Sequence, residues 1–279
     1  MFRVDQESVK WEGNGAVMSA EQNAGDDDLL SIAAESAAAL LDTERRPWLV
    51  GVAHMLNHPL DSEFSAEAVQ RVIDIATATT QFPSGPIDFL SKGFEQELNP
   101  DHRIITLRGV DFPNLELKIG FGIAGIAGIV AVGLTRSDIL ADGSQHPGAV
   151  VLGDLESVAA DTTVLAIGAA IELGYYGPIA LQAGVSYDGP GRELTYFAID
   201  EDSARLGPVR SGVDRFTPVR RTLTFRTDSE PREVHGFLYE FASDISRQFG
   251  MRPQLVTNLF DEDIPEYGDD PLGHKARQA

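Results

Sequence analysis

The stretch from Leu115 to Leu134 reads LELKIGFGIAGIAGIVAVGL and contains the spacing Gly120-x-Gly122-x-x-Gly125. This spacing is the glycine fingerprint of dinucleotide-binding turns, in which a buried parallel strand leads through a tight turn into a helix. The stretch therefore decides the fold. A strand, turn and helix would indicate a cofactor-binding domain, whereas two strands would indicate an antiparallel sheet.

The residues on either side of the glycines favour two strands. Before them, Leu115 to Ile119 alternates apolar and charged side chains, which is typical of an antiparallel strand with one face in solvent. After them, residues 126–133 combine two glycines with several β-branched side chains, a composition that disfavours a helix. We predict a hairpin of strands 115–121 and 127–134 that turns through Ala124 and Gly125, and we predict no dinucleotide cofactor.

The same stretch carries no charge between Lys118 and Arg136, so it also has to be considered as a membrane span. A spanning helix needs about 20 consecutive apolar residues. Five of the residues here are glycine, and the flanks have the pattern of ordinary strands. We expect no membrane association.

Composition indicates a globular protein. The 279 residues are 43% hydrophobic, and the net charge of −21 repels nucleic-acid backbones at long range. The chain has no cysteine, which excludes disulfides, a thiolate nucleophile and cysteine-ligated metal sites. Residues 1–11 contain no apolar segment of the kind found in signal peptides, so we expect a cytoplasmic protein.

Single helices alternate with strand meanders along the chain. The apolar periodicity predicts a helix that starts at the Asp26–Asp28 cap and runs to Leu41, one from a Ser65 cap to 76, a short one near 87–97, and one from Pro231 to a stop at Gly250. A buried central helix is predicted over residues 154–173, with Gly174 as its C-cap. It predicts strands over residues 47–56, 102–110, 178–187, 193–199 and 217–226, with a loop between the last two. This order is typical of an α+β fold in which antiparallel strand meanders pack in layers with three to four helices.

The main α+β domain is predicted to span residues 26–260. Residues 1–25 are expected to form a stray hairpin or the remnant of a preceding domain. Residues 261–279 are rich in acids and proline, so we expect a disordered tail.

No motif of established chemistry stands out. His54, His58, Asp61 and Glu63 have spacings seen in metal sites, but His54 lies in a predicted strand and His58 precedes Pro59 in a turn, so we predict no metal site. The chain also lacks the G-x-S-x-G elbow of serine hydrolases and the glycine-lysine loop that holds nucleotide phosphates. We therefore predict no catalytic residue.

An arginine-rich segment from Arg205 to Arg232 is the best candidate for a binding surface. It holds seven arginines against three acids, a local excess of four positive charges in an acidic chain. In the strand predicted over 217–226, the period of two places four residues on one face: Arg220, Thr222, Thr224 and Arg226. Arginine and threonine both donate hydrogen bonds to phosphate oxygens, so this face is a candidate anion-binding site. The alternative is a solvated face whose arginines pair with the protein's own acids.

Four segments resemble the C-terminal region of actinobacterial proteins that begin with a Schlafen-like, AlbA-type DNA-binding domain. They are PWLVGVAHML (residues 47–56), the 115–134 stretch, VLAIGAAIELGYYGPIALQAGVSY (164–187) and EVHGFLYEFASDISRQFG (233–250). Residues 2–22 resemble the last hairpin of the AlbA-type domain, but its other strands and its glycine-rich segment are not found in this sequence. The resemblance thus implies an accessory or interaction domain, and it implies neither DNA binding nor an ATP-linked role.

Three hypotheses follow from these observations. The first is a non-enzymatic accessory or interaction domain with an unknown protein partner and no cofactor. The second is a nucleic-acid- or nucleotide-responsive module that uses the Arg220 to Arg226 face. The third is an enzyme of an unrecognised class.

Overall fold

A computed structural model describes residues 26–39, 41–57, 65–79, 94–99, 104–109, 115–122, 128–136, 148–189, 193–199, 206–213, 216–226 and 231–253. The helices in these ranges are α1 (Asp26–Ala39), α2 (Ala66–Thr79), α3 (Leu152–Glu172) and α4 (Pro231–Arg247). The strands are β1 (Trp48–Met55), β2 (Phe94–Asn99), β3 (Ile104–Gly109), β4 (Leu115–Phe121), β5 (Ile129–Arg136), β6 (Ala149–Val151), β7 (Gly177–Ser186), β8 (Leu194–Ile199), β9 (Leu206–Val213) and β10 (Val219–Phe225).

The strands form two sheets. Seven of them make an antiparallel sheet in the order β10-β7-β1-β5-β4-β3-β2, and a smaller sheet has the order β6-β8-β9 with a parallel β6–β8 pair. Helices and antiparallel sheets pack in layers, so the predicted α+β fold class is confirmed.

The glycine-rich stretch forms the predicted hairpin. Strands β4 and β5 pair antiparallel, with Leu115 opposite Arg136 and Phe121 opposite Val130. The turn residues Ala124 and Gly125 lie outside the described residues. A strand follows the glycines where the dinucleotide motif needs a helix, so the structural context that the motif requires is not met.

The two faces of the large sheet are covered differently. On one face, Leu49, Ala53 and Met55 of β1 belong to a large core that includes residues of α2, α3 and α4. On the other face, Trp48 and Val50 of β1 belong to a smaller core that is covered by α1. Strand β1 is buried along its whole length because both of its faces are covered and it pairs on both sides, with β5 and β7.

Helix α3 is the buried central helix that the sequence predicts, with 17 of its 21 residues buried. It approaches β1 so closely at Gly51 that a Cβ there would lie 2.0 Å from the hydroxyl oxygen of Thr162. The helix ends at the predicted Gly174, whose φ of +63° is a left-handed conformation that favours glycine. The amide of Tyr175 then donates to the carbonyl of Ala170 at 2.8 Å, which satisfies a carbonyl in the last turn.

Helix α4 also agrees with the prediction. Its apolar stripe is buried, with Leu238, Phe241 and Ile245 in contact with the rest of the protein. After the helix ends, the chain turns at the predicted Gly250, where the amide of Met251 donates to the carbonyl of Ser246 at 3.2 Å. The cap of α2 is likewise confirmed, since the hydroxyl of Ser65 accepts from the amide of Ala68 at 3.2 Å.

Two sequence predictions are wrong. Residues 94–97, predicted as part of a helix near 87–97, lie in strand β2, which pairs with β3 in a register that places Glu95 opposite Arg108. Residues 206–213, predicted as loop, form strand β9 despite Gly207 and Pro208. In both cases, pairing with a neighbouring strand outweighs local propensity. Residues 87–93, 1–25 and 261–279 lie outside the described residues.

Within the described residues, no helix is long and apolar enough to cross a membrane.

Substitution of Gly51 tests the contact between α3 and β1. Gly51→Ala forces a Cβ into Thr162 and should lower the free energy of unfolding by about 1–3 kcal/mol through overpacking. Gly236 lies in α4, where an added Cβ would meet no atom within 4 Å, so Gly236→Ala should stabilise by up to about 1 kcal/mol through helix propensity. Urea denaturation measures both changes, and an unchanged stability of Gly51→Ala would contradict the close contact.

Candidate functional site

The predicted anion-binding face lies on β10 at one edge of the large sheet. Arg220, Thr222 and Thr224 are exposed, and so is Arg226, which follows the strand. The alternate residues Val219, Leu223 and Phe225 are buried. The four predicted residues thus share one exposed face, which we call the arginine–threonine face, and the period of two places them as expected.

The two arginines of this face have different partners. Arg220 donates from Nε to Oε1 of Gln182 and from Nη2 to the hydroxyl of Ser31, each at 2.7 Å. These two hydrogen bonds position the guanidinium between β7 and α1. Arg226 lies 3.7 Å from the carboxylate of Glu233, and both side chains are more than half exposed. An ion pair that is this exposed contributes little to the stability of the fold.

Arg221 lies on the other face of β10, where it pairs with acids of the protein itself. Its guanidinium forms ion pairs with Glu240 and with Asp244, the latter at 2.6 Å. Both acids belong to α4, so this arginine ties the helix to the edge strand. Arg221 is one of the seven arginines of the segment, but it does not lie on the arginine–threonine face.

A second exposed surface lies where α3 ends. Helices α3 and α4 run antiparallel, since Glu156 near the start of α3 contacts Ser246 near the end of α4, whereas Ala160 packs with Leu238. The end of α3 therefore lies near the start of α4. Here Ile171 is 43% exposed.

Tyr176 follows at the same end of the molecule and is 53% exposed. Its ring stacks on Phe225, the last residue of β10, with the centroids 6.0 Å apart. The stacking holds an exposed aromatic ring in a defined orientation on a buried one.

Two ion pairs involve the residues that follow Ile171 and Phe225 in the chain. Arg71 of α2 holds Glu172 with two hydrogen bonds, from Nε at 3.0 Å and from Nη2 at 2.6 Å. The hydrogen bond from Arg71 lowers the pKa of Glu172 below its ordinary value. The second pair joins Arg226 and Glu233. We call Ile171, Tyr176 and these four charged residues the end patch.

A group of polar residues lies inside α3 and was not predicted from the sequence. The buried ones are Glu156, Ser157, Asp161, Thr162 and Thr163. Ser246 of α4, also buried, donates to Oε1 of Glu156 at 2.7 Å. The sequence signal was the presence of Glu156 and Asp161, two of the four acids of α3, among apolar residues. Glu156 and Asp161 are almost completely shielded from solvent, and the Ser246–Glu156 contact joins α4 to α3.

Of the four candidate metal residues, the structure describes one. His54 is buried in β1, and His58, Asp61 and Glu63 lie outside the described residues. The described part of the chain contains no group of three or more potential metal ligands. A cavity beside the start of α3, lined by Leu49, Val150 and other residues, has a volume of about 10 Å³. That is roughly the space of one water molecule, far below the ~300 Å³ at which ligand pockets begin.

Comparison with known proteins adds no assignment: no protein-family model matches the sequence, and searches of curated proteins and of solved structures found no match.

Two serine substitutions test the buried polar contact between α3 and α4. Ser246→Ala removes the donor to the buried Glu156 carboxylate and should cost about 1–3 kcal/mol of unfolding free energy. Ser157→Ala is the matched control, since this buried hydroxyl has no hydrogen-bond partner and its loss should be near neutral. Chemical denaturation of both variants measures the difference, and equal effects would show that the contact contributes nothing.

Proposed function

We propose that this protein is a non-enzymatic accessory or interaction domain, and that its protein partner binds at the end patch. The observation that carries the proposal is the exposed Tyr176 ring, which is held in place by stacking on Phe225. Ile171, in the last turn of α3, is also exposed. Protein interfaces are enriched in tyrosine and arginine, with an apolar centre and a polar rim. The end patch has this composition.

The supporting structure makes the end patch a defined surface. Tyr176 lies between the end of α3 and the start of β7, both of which belong to the core of the domain. The bidentate Arg71–Glu172 pair ties α2 to the end of α3. A partner would meet side chains that lose little conformational freedom on binding, and this favours affinity.

The resemblance to the C-terminal region of Schlafen-like, AlbA-type proteins points to the same kind of role. The segments that carry it correspond to β1, the β4–β5 hairpin, α3 with β7, and α4. These elements form the core and support the end patch. We therefore propose an accessory role of the kind that this resemblance implies.

Substitution of the two exposed apolar residues tests the end patch. The double variant Ile171→Ser/Tyr176→Ser should weaken partner binding by about 2 kcal/mol, the scale of an interface hot spot, or roughly 30-fold in Kd. Quantitative affinity co-purification from the native host, followed by titration of the recovered partner, measures this loss.

Ile32 provides the matched control, because it is similarly exposed, at 39%, and lies on α1 across the sheet. Ile32→Ser should leave partner capture unchanged. Equal capture by the wild type and the end-patch variant, with melting temperatures also equal, would refute this binding surface.

A second candidate function is weak nucleic-acid binding at the arginine–threonine face. The observation that favours it is that all four predicted residues are exposed on one side of β10. Two cations allow about two phosphate contacts, which would have to act against the net charge of −21.

The double variant Arg220→Gln/Arg226→Gln should remove most of any binding to single-stranded nucleic acid. For two phosphate contacts, the logarithm of the binding constant should fall with the logarithm of the salt concentration with a slope of about −1.4. Ser31→Ala is one control, because it removes a hydrogen bond of Arg220 without changing the charge. Arg45→Gln/Arg247→Gln is the second control, because it removes two positive charges at exposed positions outside the arginine–threonine face. Identical curves for the wild type and the Arg220/Arg226 variant would exclude this function.

A further inference from the structure

We draw no further inference here: the strongest candidate, the outer edge of strand β10, which among the described strands pairs with β7 alone, carries arginines that already have partners within this protein, and nothing in the structure shows what covers it.

Discussion

The contact between α3 and β1 at Gly51 is the constraint on which the other layers depend. Because Gly51 has no side chain, the helix can place Thr162 and Val158 directly against the central strand of the large sheet. Helix α2 then packs on α3 at Gly168, where a Cβ would lie 3.2 Å from the carbonyl oxygen of Val72. Helix α4 packs on the same central helix through Ala160. One buried helix thus positions two others, and a close helix–sheet approach sets where that helix lies.

The buried polar residues of α3 restrict the positions in which the helices can pack. Apolar contacts alone allow a helix to slide or rotate at small cost, whereas a buried carboxylate requires its hydrogen-bond donors in defined places. The Ser246–Glu156 contact fixes the end of α4 against the start of α3. Because the helices are antiparallel, the end of α3, with the exposed Ile171, lies towards the start of α4.

The unequal covering of the sheet explains where its polar surface lies. Helices α2, α3 and α4 cover one face, whereas α1 covers the centre of the other. Towards the β10 edge that cover ends, and Arg220 bridges from the strand to Ser31 of α1 at its margin. Beyond this margin the strand exposes polar side chains on one face and keeps apolar ones under α4 on the other. Charged and polar side chains on an edge strand disfavour indiscriminate aggregation.

Local patterns in the sequence determined the elements whose periodicity is strong and whose ends carry specific signals. The β4–β5 hairpin follows from alternation and glycine content, α3 from a long apolar helix ended by Gly174, and the arginine–threonine face from the period of two in β10. Only the tertiary structure decided the rest. Strands β2 and β9 form because they pair with neighbouring strands. This pairing outweighs the charged residues of β2 and the Gly-Pro pair of β9, which locally disfavour a strand. The end patch joins residues of α2, α3 and α4 with Tyr176, which precedes β7, and Arg226, which follows β10. No spacing along one chain segment encodes such a combination.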